Sequence, residues 1–297
     1  MRYRPLGPGG AIVSAISVKL GDDPARPRAS DWIALIYAAL ESGISTFEVA
    51  ADEPVAIDGL SQAMKGVDRR LVFLAWRLPG GPGRDRSAPT LNAHIDSALT
   101  RTGLDYLDAL MIDEPGPDEI ADGAMAILAK AKTSGKIRFL GVMGEGEATG
   151  QHVVTGGFDV LSTPFNITSG WKERNLVRSA GAAEMAIVGS QYYPRAFHAA
   201  AAAAHKAGEG KPGGEPLRGV GSYAFLDKTH GWTAEEICLS YALTEPALAT
   251  VQVRPASIAH LEKLAEVPDR EMPPGLAAQI EMARFSPPVE AEGRRRA

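Results

Sequence analysis

The chain has 297 residues, 45% of them apolar, which is enough to bury a full core and is a normal length for one α/β barrel. There are 31 Lys and Arg against 36 Asp and Glu, a formal charge of −5, and so mixed a balance excludes a general nucleic-acid or membrane-surface binder. The one cysteine, Cys238, permits no intrachain disulfide, and no run reaches 18 uninterrupted apolar residues, so a reducing, cytoplasmic setting without a membrane span is expected.

The opening MRYRPLGPGG lacks the apolar region of a signal peptide. The stretch YRPLGPGGAIVSAI alternates around a Gly-Gly turn and reads as a hairpin that plugs the bottom of a barrel. A repeat then begins, in which a short apolar, β-rich run precedes an amphipathic stretch. The runs are 15–20, 44–49, 71–77, 108–113, 138–143, 158–163, 185–190 and 249–254. Helical spacing is plain over 30–42, 90–103, 119–135 and 233–245. Ser30 and Thr233 are candidate N-caps, and Glu236 completes a capping box with Thr233. Gly43, Gly103 and Gly135 follow three helices, where a left-handed residue is wanted. Strands alternating with helices of this length give βαβ units and a parallel sheet, and eight of them favour a closed (β/α)8 barrel. The whole of 1–297 is read as this one barrel. Residues 191–231 are a long insertion, with an Ala-rich helix at 199–207 and the loop GEGKPGGEP. Residues 268–297 are a Pro-rich C-terminal extension whose closing arginines, 294–296, read as a solvated end.

Barrel chemistry collects at the C-terminal ends of the strands. There the chain places Lys19, then Glu48 with Asp52 and Glu53, then Arg77, then Asp113 and Glu114. Strands five, six and eight contribute Met143, Gly144 and Glu145, then Ser162 and Asn166, then Arg254. Lys19, Glu48, Arg77 and Asp113 have balanced signs. They suit either an acid/base site or an ion-pair network filling the barrel mouth. The six histidines are scattered and form no metal pattern, and no phosphate-loop or nucleophile-elbow motif is present.

The chain resembles the aldo-keto reductase family along nearly its whole length. The carrying stretches, in order, are VSAISVKLG, ALESGISTFEVAADE, LVFLAWRL, IDSALTRTGLDYLDALMIDEPG, GKIRFLGVM and FDVLSTPFN. The resemblance implies an N-terminal hairpin, a (β/α)8 barrel and NAD(P)H-dependent carbonyl reduction by an Asp, Tyr, Lys and His tetrad. Carried over residue by residue, those positions hold Glu48, Glu53, Arg77 and Asp113, all four substituted. The nicotinamide-amide pair falls on Met143 and Gly144. The resemblance assigns cofactor contacts to Ser162, Asn166, Tyr192, Arg254 and Ser257, with NADPH the implied cofactor of an eroded site.

Three functions follow from these substitutions. The first is a barrel without the family's chemistry that binds a small molecule or a protein partner at its mouth. The second is an NAD(P)-dependent oxidoreductase with a displaced donor, Tyr192, Tyr193 or Tyr223. The third is a lyase or isomerase using Glu48, Glu53 and Asp113. The rim also leads to the expectation of surplus carboxylates from Glu53, Asp113 and Glu114, and of a neutral or cationic ligand.

Overall fold

The computed structural model describes residues 1–21, 23–81, 83–116, 118–206 and 221–285. The loop at 208–216 and the arginines at 294–296 lie outside the described residues. Eight runs of Ile, Val, Leu and Ala form the barrel strands: β3 (Ile16–Leu20), β4 (Thr46–Ala50), β5 (Phe73–Leu78), β6 (Leu107–Asp113), β7 (Ile137–Met143), β8 (Val160–Pro164), β9 (Ala186–Ser190) and β10 (Leu248–Val253). They pair in parallel in chain order, and β10 closes on β3 through Val251–Ile16 and Val253–Val18. The expected (β/α)8 barrel is therefore present. All eight runs predicted from the sequence become strands. Leu71, however, belongs to a 3-10 turn before β5 and is 68% exposed.

The hairpin β1 (Tyr3–Leu6) and β2 (Ala11–Ser14) precedes the barrel. Leu6, Ala11 and Val13 pack with Phe73, Ala109, Met111, Val160, Ala186 and Ala249, so the hairpin closes the bottom as expected. Arg4 ties it down, donating to the carbonyls of Leu248 at 2.8 Å and Leu243 at 2.6 Å.

The outer ring is α1 (Ala29–Glu41), α2 (Pro54–Met64), α3 (Ala88–Thr102), α4 (Asp122–Thr133), α5 (Gly146–Thr155), α6 (Trp171–Ala182), α7 (Arg195–Lys206), α8 (Ala234–Leu243), α9 (Ile258–Glu266) and α10 (Leu276–Phe285). Within the 191–231 insertion, α7 is followed after the undescribed stretch by a 3-10 segment at Gly221–Lys228; within 268–297, α10 is the described helix. Thr233 caps α8 with Glu236 as the sequence predicts. Gly103 ends α3 in the left-handed conformation. Ser30 is not a cap. The helix starts two residues earlier than that cap requires, at Ala29, because the Asp31 carboxylate reaches back to the Arg28 N–H at 3.2 Å and to its guanidinium at 2.8 Å.

Helices α1 and α2 approach closely at Gly59. A Cβ built there would lie 2.6 Å from Trp32 Cβ and 2.8 Å from the Ala29 carbonyl oxygen. Alanine is the better helix former by about 1 kcal/mol. Here the backbone of α1 blocks it, and overpacking typically costs about 1–3 kcal/mol. Gly59→Ala is therefore expected to lower the unfolding free energy in chemical denaturation, against the direction of helix propensity.

Candidate functional site

Side chains alternate between the lumen and the helical layer along each strand. The register sets Lys19 opposite Glu48, and Ala50 opposite Arg77. Lumen-facing residues near the strand ends therefore meet at the mouth. Beneath them the lumen is nearly filled: Ser17, Glu48, Ser162, Thr250 and Gln252 surround a void of only about 20 Å³.

Arg77 is the centre of the mouth. Its Nε lies 3.3 Å from Glu48 Oε1, and a terminal guanidinium nitrogen donates to Asp113 Oδ2 at 2.9 Å. The contact with Glu48 is one of charge; its geometry is too oblique for a directed hydrogen bond. Glu48 is 4% exposed. Burial pushes its carboxyl above the ordinary range, although Arg77, a hydrogen bond with Gln252 and Lys19 all oppose the shift. The expected Glu48–Arg77 ion pair is thus present, and Asp113 joins it. Asp113 is therefore not a spare carboxylate.

Above this bridge opens a cavity of about 650 Å³. Its charged lining is Lys19, Arg77, Arg195 and Arg254 against Asp113, Glu114 and Glu235, so the expected acidic surplus does not line it. Glu53 is absent from that lining. It packs against Gly21, where a Cβ would meet its Cγ at 2.5 Å. Of the four tetrad positions, Glu48, Arg77 and Asp113 meet in this bridge, and Glu53 packs against Gly21 just past β3. Glu114 and Gln191 both line the cavity with positive φ, 41° and 49°. Such conformations cost about 1–3 kcal/mol each and cluster at functional sites.

The residues assigned to a cofactor separate in the same way. Ser162 is buried in the lumen below the mouth, its hydroxyl without a partner. Both ends of the Asn166 side-chain amide are engaged: it donates to the Gln191 carbonyl at 2.9 Å and accepts from the Thr168 N–H and hydroxyl at 2.9 and 2.7 Å. The Ser257 hydroxyl accepts from the His260 N–H at 3.1 Å and caps α9. Tyr192 and Arg254 do line the cavity.

Tyr192 is held by a network that the sequence reading missed. Its hydroxyl donates to Glu235 Oε1 at 2.5 Å. His260 Nδ1 accepts from the Ala256 N–H at 3.0 Å, so Nε2 carries the proton and donates to Glu235 Oε2 at 3.1 Å. Burial alone would raise the Glu235 carboxyl. Hydrogen bonds from His260 and Tyr192 instead hold it below its usual range. Burial, with Glu235 beside it, pushes the Tyr192 phenol well up, and burial also raises Tyr193 and Tyr223. Tyr223 donates to the Ile167 carbonyl at 3.3 Å and is not part of the mouth lining. The missed residues left faint signals. Gln252 is an amide set between two valines in ATVQVR, and His260 stands three residues after a helix-capping serine.

An eight-stranded parallel barrel with a charged, strained mouth at the C-terminal strand ends is the architecture of a TIM-barrel ligand or catalytic site. The model of the aldo/keto reductase family matches residues 17–283. The chain belongs to the aldo-keto reductase family. It is similar to the 6-dehydroglucose reductase of Novosphingobium aromaticivorans, 31% identical over 160 residues, a match spanning 47% of this chain and 50% of that protein. The chain thus spans about half the length of this curated relative. Its fold is that of aldo-keto reductase AKR11C1 from Bacillus halodurans, solved in its holo form. The TM-score is 0.78 at 17% identity, over 98% of this chain and 99% of the other.

Removing Arg77 leaves two carboxylates facing each other at a buried site, at a cost of about 3–5 kcal/mol near neutral pH. Arg77→Met is expected to be far less stable than Arg77→Met combined with Glu48→Gln. Burial raises the Glu48 pKa, so the folded state binds more protons than the unfolded one. Stability is then lost as pH rises from the ordinary glutamate range through the raised value. The deficit of Arg77→Met should accordingly shrink as pH is lowered toward that range, as measured by urea unfolding across pH. A single mutant as stable as the double at every pH would show the residues to be uncoupled.

Proposed function

We propose that this chain is an aldo-keto-reductase-type barrel that has given up the family's carbonyl reduction and binds a small molecule or a protein partner at its mouth. The observation that carries this reading is the Glu48–Arg77–Asp113 bridge. It occupies the place where the resemblance calls for a proton-relaying Lys and a neutral His. Arg cannot release a proton at neutral pH. The fourth position, Glu53, carries a carboxyl group and packs on Gly21 outside the cavity. The mouth tyrosines do not supply a ready replacement. Tyr192 spends its proton on Glu235, and burial makes both Tyr192 and Tyr193 weaker acids.

The fit to a nicotinamide dinucleotide is poor on the same grounds. Three of the five assigned side chains, Ser162, Asn166 and Ser257, are buried in the lumen or committed to local hydrogen bonds. The mouth nevertheless keeps the marks of a ligand site in its volume, its mixed charges and its strained Glu114 and Gln191. A cytoplasmic setting accords with the buried, unpaired Cys238. Among the described residues no helix is long and apolar enough to cross a membrane.

A second reading is favoured by the likeness to a protein named a reductase. In it the chain remains an NAD(P)-dependent oxidoreductase with its proton donor displaced. Titration with NADPH and with NADH, followed by protein fluorescence, separates the two. The proposal expects no saturation up to about 1 mM, weaker than roughly −4 kcal/mol. It also expects reduction of simple aldehydes to fall short of a tetrad-bearing relative by at least about 10²–10⁴-fold, the contribution of general acid catalysis. Tight cofactor binding with robust turnover would sink it.

A further inference from the structure

A second recess lies away from the mouth, between α5 and α6, with a volume of about 780 Å³. Neighbouring helices of the outer ring ordinarily close against each other. Here α5 and α6 do touch, and the recess opens beside their contact, where α5 presents Gly146 and Gly150 and α6 presents Ser179. A Cβ built on Gly150 would meet nothing within 4 Å. The walls are apolar and unusually open: Trp171 is 72% exposed and Val154 83%, and both line the recess beside buried Leu176. At its floor is Thr163, fully buried, whose hydroxyl has no hydrogen-bond partner. A buried hydroxyl left unpaired costs free energy that a bound polar group or water removes. The charged residues of the recess are Glu145, Glu147 and Glu173 against Lys172 alone. Glu173 uses one oxygen to accept from the Gly170 N–H at 2.7 Å.

We infer that this recess is a second binding site, for a small organic cation with an apolar body, such as an aryl- or alkylammonium ion. The volume falls in the range of small-molecule sites, about 300–1,000 Å³. An exposed indole favours a cation over its face. The three carboxylates select the sign of the charge, and Val154 and Leu176 take the apolar body. A small amine suits the recess better than a helix of a partner, because a helix lying across α5 and α6 would leave Thr163 uncovered at the floor.

The probes are phenethylammonium, its neutral analogue phenethyl alcohol and its anionic analogue phenylpropanoate, titrated by calorimetry and by tryptophan fluorescence. Phenethylammonium is expected to bind at least about tenfold more tightly than either analogue, a difference of roughly 1.4 kcal/mol. The Glu145→Gln, Glu147→Gln double variant should erase the preference. Gly150→Phe should put a ring into the recess beside Val154 and weaken binding at least about tenfold. The removal of a helical glycine should keep its thermal midpoint at or above that of the parent, which separates blockage from unfolding. The mouth is untouched by these variants, so nucleotide titration of the same proteins reads the proposed function separately. The inference is overturned by no binding up to about 10 mM, where even fragment-sized ligands register. Equal binding of all three probes, or binding undiminished in Gly150→Phe, would overturn it too, as would tight binding of a basic amphipathic peptide with none of the amine.

Discussion

One guanidinium sets the terms at the mouth of this barrel. Arg77 rises from β5 between a carboxylate of β4 and a carboxylate of β6, and its planar fork serves both. A lysine ammonium is a single point charge and could not present separate nitrogens to Glu48 and Asp113. The carboxyl of Glu48 is almost wholly withdrawn from water, a state tolerated only beside a cation and a hydrogen-bond donor. Gln252, from the strand that closes the barrel, supplies the donor. Four strands thus converge on one cross-linked cluster, which forms the floor of the cavity above. The same three side chains therefore fix the shape and the charge of the cavity floor together.

A second cluster stands over the first. Glu235 of α8 gathers Tyr192 from the end of β9 and His260 from α9. It joins three elements that the chain places far apart. Its effect on the cavity is to fix an aromatic wall opposite the charged floor. Arg195, Arg254 and His198 line the same opening, and His198 stacks edge-on against Tyr193, so cationic, acidic and aromatic groups are interleaved there. A lining that mixes both signs of charge does not concentrate ions of one sign.

The barrel itself was legible because each strand is a short apolar run bounded by a helical pattern, and burial on both faces demands that composition. Thr233 announced its helix through a local hydrogen bond that its neighbours alone determine. Ser30 misled because Asp31 offered the backbone a stronger acceptor, a competition between adjacent residues that residue type does not rank. Rim charges were legible from the two-residue period of the strands. Glu53 was not, because it lies beyond β4, where no period governs direction and tertiary contacts such as its packing on Gly21 decide it. Ser162, Asn166 and Ser257 matched a family pattern by position, yet their hydroxyls and amide answer to the lumen, a loop and a helix end. The Glu235 network was beyond reach for another reason. Its members are separated by up to 68 residues, and nothing local marks them as partners.

Arg4 deserves a last thought as a timekeeper. Its two hydrogen bonds reach carbonyls 239 and 244 residues away, beside the strand that completes the ring. As the chain emerges from the ribosome, the outer edge of β3 waits for β10 through nearly the whole of synthesis, and β9 then gains its second neighbour in the same event. Contacts of such sequence separation form late, because the loop they close must first lose its freedom. Throughout that interval an open parallel sheet presents unpaired edges, the feature that most invites wrong association. The hairpin that Arg4 anchors can seat only when Leu243 and Leu248 are in place, so the bottom of the barrel and its open seam close in the same late step.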